Sequence, residues 1–357
     1  MLGRREFLKG ITLVGGMALL SYFIPSCLRK EDAAITKISL VRTTDRAEGV
    51  RKAVKLFGAN PVKGKAVVLK PNFNTADPAP GSTHNDTLRS LVLTLQEMGA
   101  AGITLAERSG PGDTTRHIME TKGVFQMAKE LSFDIVNLQE IDKDGWVLIK
   151  PPDSHWKNGF LFARIYREAE SIVQTCCLKT HQYGGPFSSG HFTMSLKCSV
   201  GMLPPGFGPG MMPGFGPGMP SGSGPENEYS YMGELHSSPY MRQMIAEINT
   251  AYSPDLIVLD GVEAFVEGGP HMGKRVNANV MLAGSDRVAI DAAGVAILRM
   301  LGTTPEVSRG KIFEQDQIKR AVELGLGVTS ADQIEIVTGD KESEEYAEKV
   351  REVLGKG

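Results

Sequence analysis

The chain has 357 residues, 41% of them hydrophobic, and its 39 basic and 41 acidic side chains leave a formal net charge of −2. Such a balance, with no basic stripe, argues against nucleic acid as a partner. Four cysteines without a C-x-x-C pair exclude a disulfide scaffold and a built-in four-cysteine iron–sulfur cluster, so any such cluster would come from a partner.

The N-terminus reads Gly3-Arg4-Arg5-Glu6-Phe7-Leu8-Lys9, followed by an apolar run over residues 11–24. This pattern resembles a twin-arginine export signal, whose pathway carries folded proteins, often with a cofactor already inserted. The run is shorter than the roughly 20 apolar residues that a membrane-spanning helix needs. Ile24-Pro25-Ser26-Cys27 makes a loose lipoprotein box with Cys27 as the candidate lipidated residue. Residues 1–33 are therefore read as a signal. The expected location is the periplasm or the outer face of the membrane, and the export machinery is an expected partner.

Beyond the signal, β-branched runs alternate with helical patterns, the mark of βαβ units. The first strand is expected over 38–41 and the first helix over 46–57. A strand over 67–70 leads to a helix over 86–98, with Thr83 or Asn85 as its cap and Gly99 closing it. A strand over 103–106, a helix over 123–131 and strands over 134–136 and 171–177 follow. Further on come a strand over 255–260, helices over 287–301 and 312–324, and a closing strand over 334–337. Nearly continuous apolar strands predict an α/β fold with a mostly parallel sheet covered by helices on both faces. The main domain is expected over 36–303, with 304–357 as an α/β extension packing on it.

One stretch departs from this pattern. Pro205-Gly206-Phe207-Gly208-Pro209-Gly210-Met211 recurs as Pro213-Gly214-Phe215-Gly216-Pro217-Gly218-Met219, so residues 203–225 are read as a Gly/Pro/Met-rich loop insertion. Its methionines, with Met202 and Met212, offer soft thioether ligands suited to copper(I). A mobile apolar lid without chemistry is the plainer reading, since no histidine or cysteine lies in the repeat.

Ligands of parallel α/β sheets bind beyond the carboxyl ends of the strands, so polar residues there are the functional candidates. Lys70, Asn72 and Lys197 are candidate anion-binding residues. Lys179, His181, Glu107 and Glu267 are candidates for proton transfer, because burial can bring lysine or glutamate into a useful pKa range. His181, His191 and His271 are candidate metal ligands, with Glu107, Asp260 and Glu267 as carboxylates to complete such a site. Cys176 and Cys177, adjacent on one strand, point to opposite faces, and one of them could reach Cys198. Walker, dinucleotide-binding and nucleophile-elbow motifs are absent.

Lys70-Pro71-Asn72, Lys179-Thr180-His181, residues 193–201, Asp260 with Glu267-Gly268-Gly269-Pro270, and the 283–291 segment together resemble the domain of unknown function 362 family. The resemblance covers about 36–303 and implies no assigned reaction. Some members carry ferredoxin-type cysteine motifs, which this chain lacks, and Cys198 follows Lys197 where the family usually has asparagine. A more distant similarity, to nickel-pincer lactate racemases, transfers no residue. The expected function is an exported enzyme that binds a small anionic metabolite or cofactor and is metal- or redox-dependent. The alternatives are a non-catalytic metal-handling or ligand-binding lipoprotein, or a subunit of an exported redox complex.

Overall fold

The computed structural model describes residues 35–110, 112–182, 189–204 and 231–356. The expected signal with Cys27, and the Gly/Pro/Met repeat from Pro205 onward, lie outside the described residues. The strands are β1 (Thr36–Arg42), β2 (Ala66–Lys70), β3 (Gly102–Glu107), β4 (Asp134–Asn137), β5 (Trp146–Ile149) and β6 (Phe160–Ala163). They continue with β7 (Ser171–His181), β8 (His191–Thr193), β9 (Leu256–Gly268), β10 (Gly273–Gly284) and β11 (Ile334–Val337). Nine of them form one sheet in the order β11-β1-β10-β9-β7-β2-β3-β4, with β8 paired to β7; β5 and β6 form a separate hairpin. Five of the eight pairings in the large sheet are parallel, so the α/β, mostly parallel reading holds.

Strand alternation divides the apolar residues between two cores. Ile257 and Leu259 of β9 enter the core shared with the helices Arg287–Met300 and Lys341–Lys356. Their neighbours Leu256 and Val258 enter the other core, with the helices Arg46–Phe57 and Asn85–Glu97. Both faces of the sheet are thus covered. No helix among the described residues is long and apolar enough to cross a membrane.

The first βα unit follows local rules closely. Asp45 caps the helix Arg46–Phe57 by accepting from Glu48 N, and Gly58 ends it at φ 78°. The next helix departs from expectation at its start: His84, through Nδ1, accepts from Asp86 N as the cap. Thr83 turns its hydroxyl instead to Asn72 N, at 2.8 Å, and ties the two ends of the loop after β2 together. Asp286 caps the helix Arg287–Met300. The helix expected over 312–324 is broken, with a 3₁₀ turn at Ile312–Glu314 ahead of the helix Asp316–Glu323.

Two strands run well past their apolar centres. β7 continues through Lys179 to His181, and β9 through Glu263 to Gly268. β10 has an exposed polar first half, Lys274-Arg275-Val276-Asn277, which hides it from any search for apolar runs. It returns antiparallel on β9 after Gly268 and Gly269, both at positive φ, where a Cβ on Gly269 would lie 1.9 Å from the Thr180 carbonyl oxygen.

Candidate active site

The parallel strands β2, β3 and β7 end on one side of the sheet and deliver Lys70, Glu107 and Lys179 to a common cavity of about 250 Å³. His181, Lys197, Asn72 and His271 also line it. Seven of the residues singled out from the sequence therefore converge. Two do not. Glu267 is exposed and pairs with Lys274, Nζ to Oε1 3.1 Å. His191 opposes His181 across the strand pair but has φ 60° and does not line the cavity. Its charged neighbours are Arg242, Asp316 and Glu306 instead. Asp260 is engaged elsewhere by Arg46 Nε at 2.9 Å and Thr87 Oγ1 at 2.6 Å. No group of three histidine, cysteine or acidic side chains able to hold a metal occurs among the described residues, so the expected histidine set is not assembled.

Lys70 and Glu107 form a buried ion pair at 2.7 Å, with side chains 2% and 1% exposed. Lys70 Nζ also donates to the Pro71 carbonyl at 2.7 Å. Glu107 receives two further hydrogen bonds, from Phe73 N at 2.9 Å and Arg108 N at 2.8 Å. Burial pushes its carboxyl up, against the pull of Lys70 and these amides. Every bond is donated to Glu107, which therefore works here as a carboxylate acceptor. Gly201 is forced by this pair: a Cβ there would stand 2.6 Å from Glu107 Oε1 and 2.7 Å from Lys70 Nζ.

Lys179 sits in β7 and donates to Asn72 Oδ1 at 3.0 Å and Gly81 O at 2.6 Å, which clamps the loop after β2 over the cavity. Burial holds its amine below the usual lysine range. Directly opposite on β8 lies Thr193, which also lines the cavity and whose buried Oγ1 has no hydrogen-bond partner among the described residues. Lys197 is carried by the short helix Ser195–Cys198, whose first amides are held by the Asp291 carboxylate at 2.7 and 3.2 Å. Burial pushes Asp291 up to about 7. The Lys197 side chain makes no hydrogen bond or ion pair among the described residues. Burial, with the charges of Lys179 and Arg108, lowers its amine to about 7.

Two of the three imidazoles that line the cavity, His181 and His236, are shifted toward the neutral form. His181 is held well below the ordinary histidine range by burial and then by Lys197. Its Nδ1 accepts from Gly190 N at 3.4 Å, so its proton sits on Nε2. His236, from the helix Tyr231–Ser237, is lowered to about 4 by burial and Lys197, and pairs Nδ1 with Met232 O at 2.7 Å.

Sequence reasoning passed over Thr193, Arg108 and His236 as site residues. Arg108 follows Glu107 directly and ties Leu203 O (2.9 Å), Ser109 O (2.9 Å) and Val200 O to the cavity wall. Its adjacency to Glu107 was a usable signal, whereas a lone histidine on a short helix gives none. Cys198 lines the cavity 3.9 Å from Lys70 Nζ, and burial pushes its thiol up to about 11. Cys176, Cys177 and Cys198 are all free, so the bridge considered from the sequence does not form.

The family model described as Domain of unknown function (DUF362) matches residues 67–296, and the chain belongs to that family. No curated protein matches the sequence. Among solved structures, the chain is similar to the lactate racemase apoprotein from Thermoanaerobacterium thermosaccharolyticum. The identity is 14%, the match covers 89% of this chain and 86% of that one, and the TM-score is 0.34.

Proposed function

We propose that this family member is an enzyme that takes a small anionic metabolite into the cavity between β2, β3 and β7 and moves a proton on it. The observation that carries the reading is a charge imbalance. Lys70, Arg108, Lys179 and Lys197 line the cavity, and Glu107 is the sole carboxylate among its described lining residues. Glu107 is already matched by Lys70, which leaves Lys179 and Lys197 for a ligand's charge. At about 250 Å³ the cavity lies below the roughly 300–1,000 Å³ of drug-sized sites, so a small carboxylate or phosphate suits it. Lys197, brought to about 7, has the pKa of an effective general base at neutral pH.

The binding test is calorimetry of small carboxylates and phosphates at pH 7 against the wild type, Lys179→Met and Lys197→Met. Saturable binding that weakens in both variants is the expected result. Failure of every anion to bind, or binding indifferent to both changes, ends the reading. The metal-handling alternative rests on the methionine repeat, which from Pro205 onward lies outside the described residues; of the three candidate histidine ligands, His181 and His271 line the cavity.

Export belongs to the same reading, with the twin-arginine machinery as a partner and Cys27 as the site of a lipid anchor. Its support is the Arg4-Arg5-Glu6-Phe7-Leu8-Lys9 stretch ahead of a short apolar run. Changing both Arg4 and Arg5 to Lys should hold the full chain in the cytoplasm on cell fractionation. Unchanged delivery across the membrane would remove that signal assignment.

A further inference from the structure

We infer that Lys197 is a nucleophile that condenses with a small 2-oxo acid to form an imine, while Lys179 and Thr193 hold the acid's carboxylate. This rests on the small-anion reading above and narrows it to a substrate class. The three lysines of the cavity differ in how their protons are committed. Lys70 gives all three, to Glu107, Pro71 O and Cys198 Sγ. Lys179 gives two to Asn72 and Gly81 O and keeps one N–H for a ligand. The Lys197 side chain gives none to any described residue, and Glu107, the one carboxylate among the described lining residues, is already paired with Lys70.

The second observation is Thr193. A buried hydroxyl is almost always hydrogen-bonded, yet Thr193 Oγ1 has no partner among the described residues. It stands opposite Lys179 on the β7–β8 pair, where facing side chains on one sheet surface lie about 5 Å apart at Cβ. Both residues line the cavity, and one ammonium N–H with one hydroxyl can serve the two oxygens of a carboxylate. The carbonyl of a 2-oxo acid is one bond away from that carboxylate and so remains within a cavity this small, where Lys197 is the uncommitted amine.

In the condensation the lone pair of unprotonated Nζ attacks the carbonyl carbon. A C–N bond forms as the carbonyl π bond opens, and the oxygen takes up a proton to give a carbinolamine. That oxygen then leaves as water with both hydrogens originally on the amine, and the C=N bond remains. No oxidant or reductant is consumed. His181 is the proton relay: its neutral ring carries its proton on Nε2, and a Cβ at Gly190 would lie 3.3 Å from both the His181 ring and Lys197 Cε, which places the two side chains around one backbone position. An amine lowered to about 7 is partly unprotonated at neutral pH.

The test is borohydride trapping on the full mature protein with pyruvate and with glyoxylate, read by intact mass and peptide mapping. One reduced adduct per chain, mapped to Lys197 and absent from Lys197→Met, is expected. Lactate, which keeps the carboxylate but lacks the carbonyl, should protect against trapping, and Lys179→Met should need more oxo acid for the same yield. Should lactate and pyruvate bind by calorimetry with no adduct trapped, the imine inference falls and the anion reading stands. Should neither bind, both fall. Adducts spread over other lysines would also overturn the inference, and mapping on the wild type decides this even if Lys197→Met fails to fold.

Discussion

Replacing Lys197 with methionine should make the ligand-free protein more stable, and by an amount that depends on pH. The amine's pKa falls from 10.5 to about 7 on folding. Between those values the unfolded chain holds a proton that the native state has released, so native stability rises with pH through that window. At about 1.4 kcal/mol per pKa unit, burying the amine costs about 4 kcal/mol at pH 7 and about 2 kcal/mol at pH 9. Methionine has no such proton and, being unbranched and flexible, fits the lysine stem's path. The gain from Lys197→Met should therefore be about 2 kcal/mol larger at pH 7 than at pH 9. Urea unfolding of both proteins at both pH values reads this directly, since titrations common to the pair cancel in the difference. An equal gain at the two pH values would show that Lys197 titrates at its ordinary value, and its assignment as base and nucleophile would go with it.

Glu107→Gln leaves the Lys70 ammonium buried without its carboxylate, a change that costs about 3–5 kcal/mol when one partner of a buried pair is removed. Adding Lys70→Met to that variant should restore most of the loss on chemical denaturation. A double variant no better than the single one would mean the pair is not the cause. Gly201→Ala drives a methyl group to within 2.6 Å of Glu107 Oε1, and should lower stability by about 1–3 kcal/mol, as overpacking does. It should also weaken anion binding in calorimetry; unchanged melting and binding would show that the close approach at Gly201 is not required.

The regular parts of the fold were legible because each satisfies a local rule. The helix Arg46–Phe57 has its Asp45 cap and its Gly58 stop, and β2, β3 and β4 are short apolar runs in parallel pairs. Part of what escaped was strand structure made of polar residues, although the apolar hairpin of β5 and β6 was passed over too. β10 starts with Gly273-Lys274-Arg275 and gains apolar alternation only later. β7 was cut at Cys177 because Lys179 and His181 look like loop chemistry, yet they lie in the strand. The same polarity that ended the strand prematurely was the signal for the site. Glu267 failed as a candidate for the opposite reason: it lies at the far end of β9, where the strand has left the cavity and faces solvent. The Asp291 carboxylate that holds the Lys197 helix was invisible from the sequence, since 96 residues separate it from Ser195.

Stability alone does not account for the way the cavity is furnished. A protein selected only to stay folded would answer a buried lysine with a carboxylate, as it does at Lys70 and Glu107. At Lys179 it answers with two oxygens and leaves one N–H over. At Lys197 it supplies no partner among the described residues and adds the charges of Lys179 and Arg108 nearby, each of which makes the ammonium less favourable. The unpartnered hydroxyl of Thr193 opens onto the same space. Each of these arrangements raises the free energy of the empty site, and a single bound anion relieves all three by accepting hydrogen bonds from Lys179 and Thr193 and by offsetting the charge at Lys197. The commonest explanation for a cluster of perturbed groups, a structural ion-pair network, applies at Lys70 and stops there. The gradation from paired to partly committed to uncommitted across one cavity of about 250 Å³ is what a binding site with a reactive end requires.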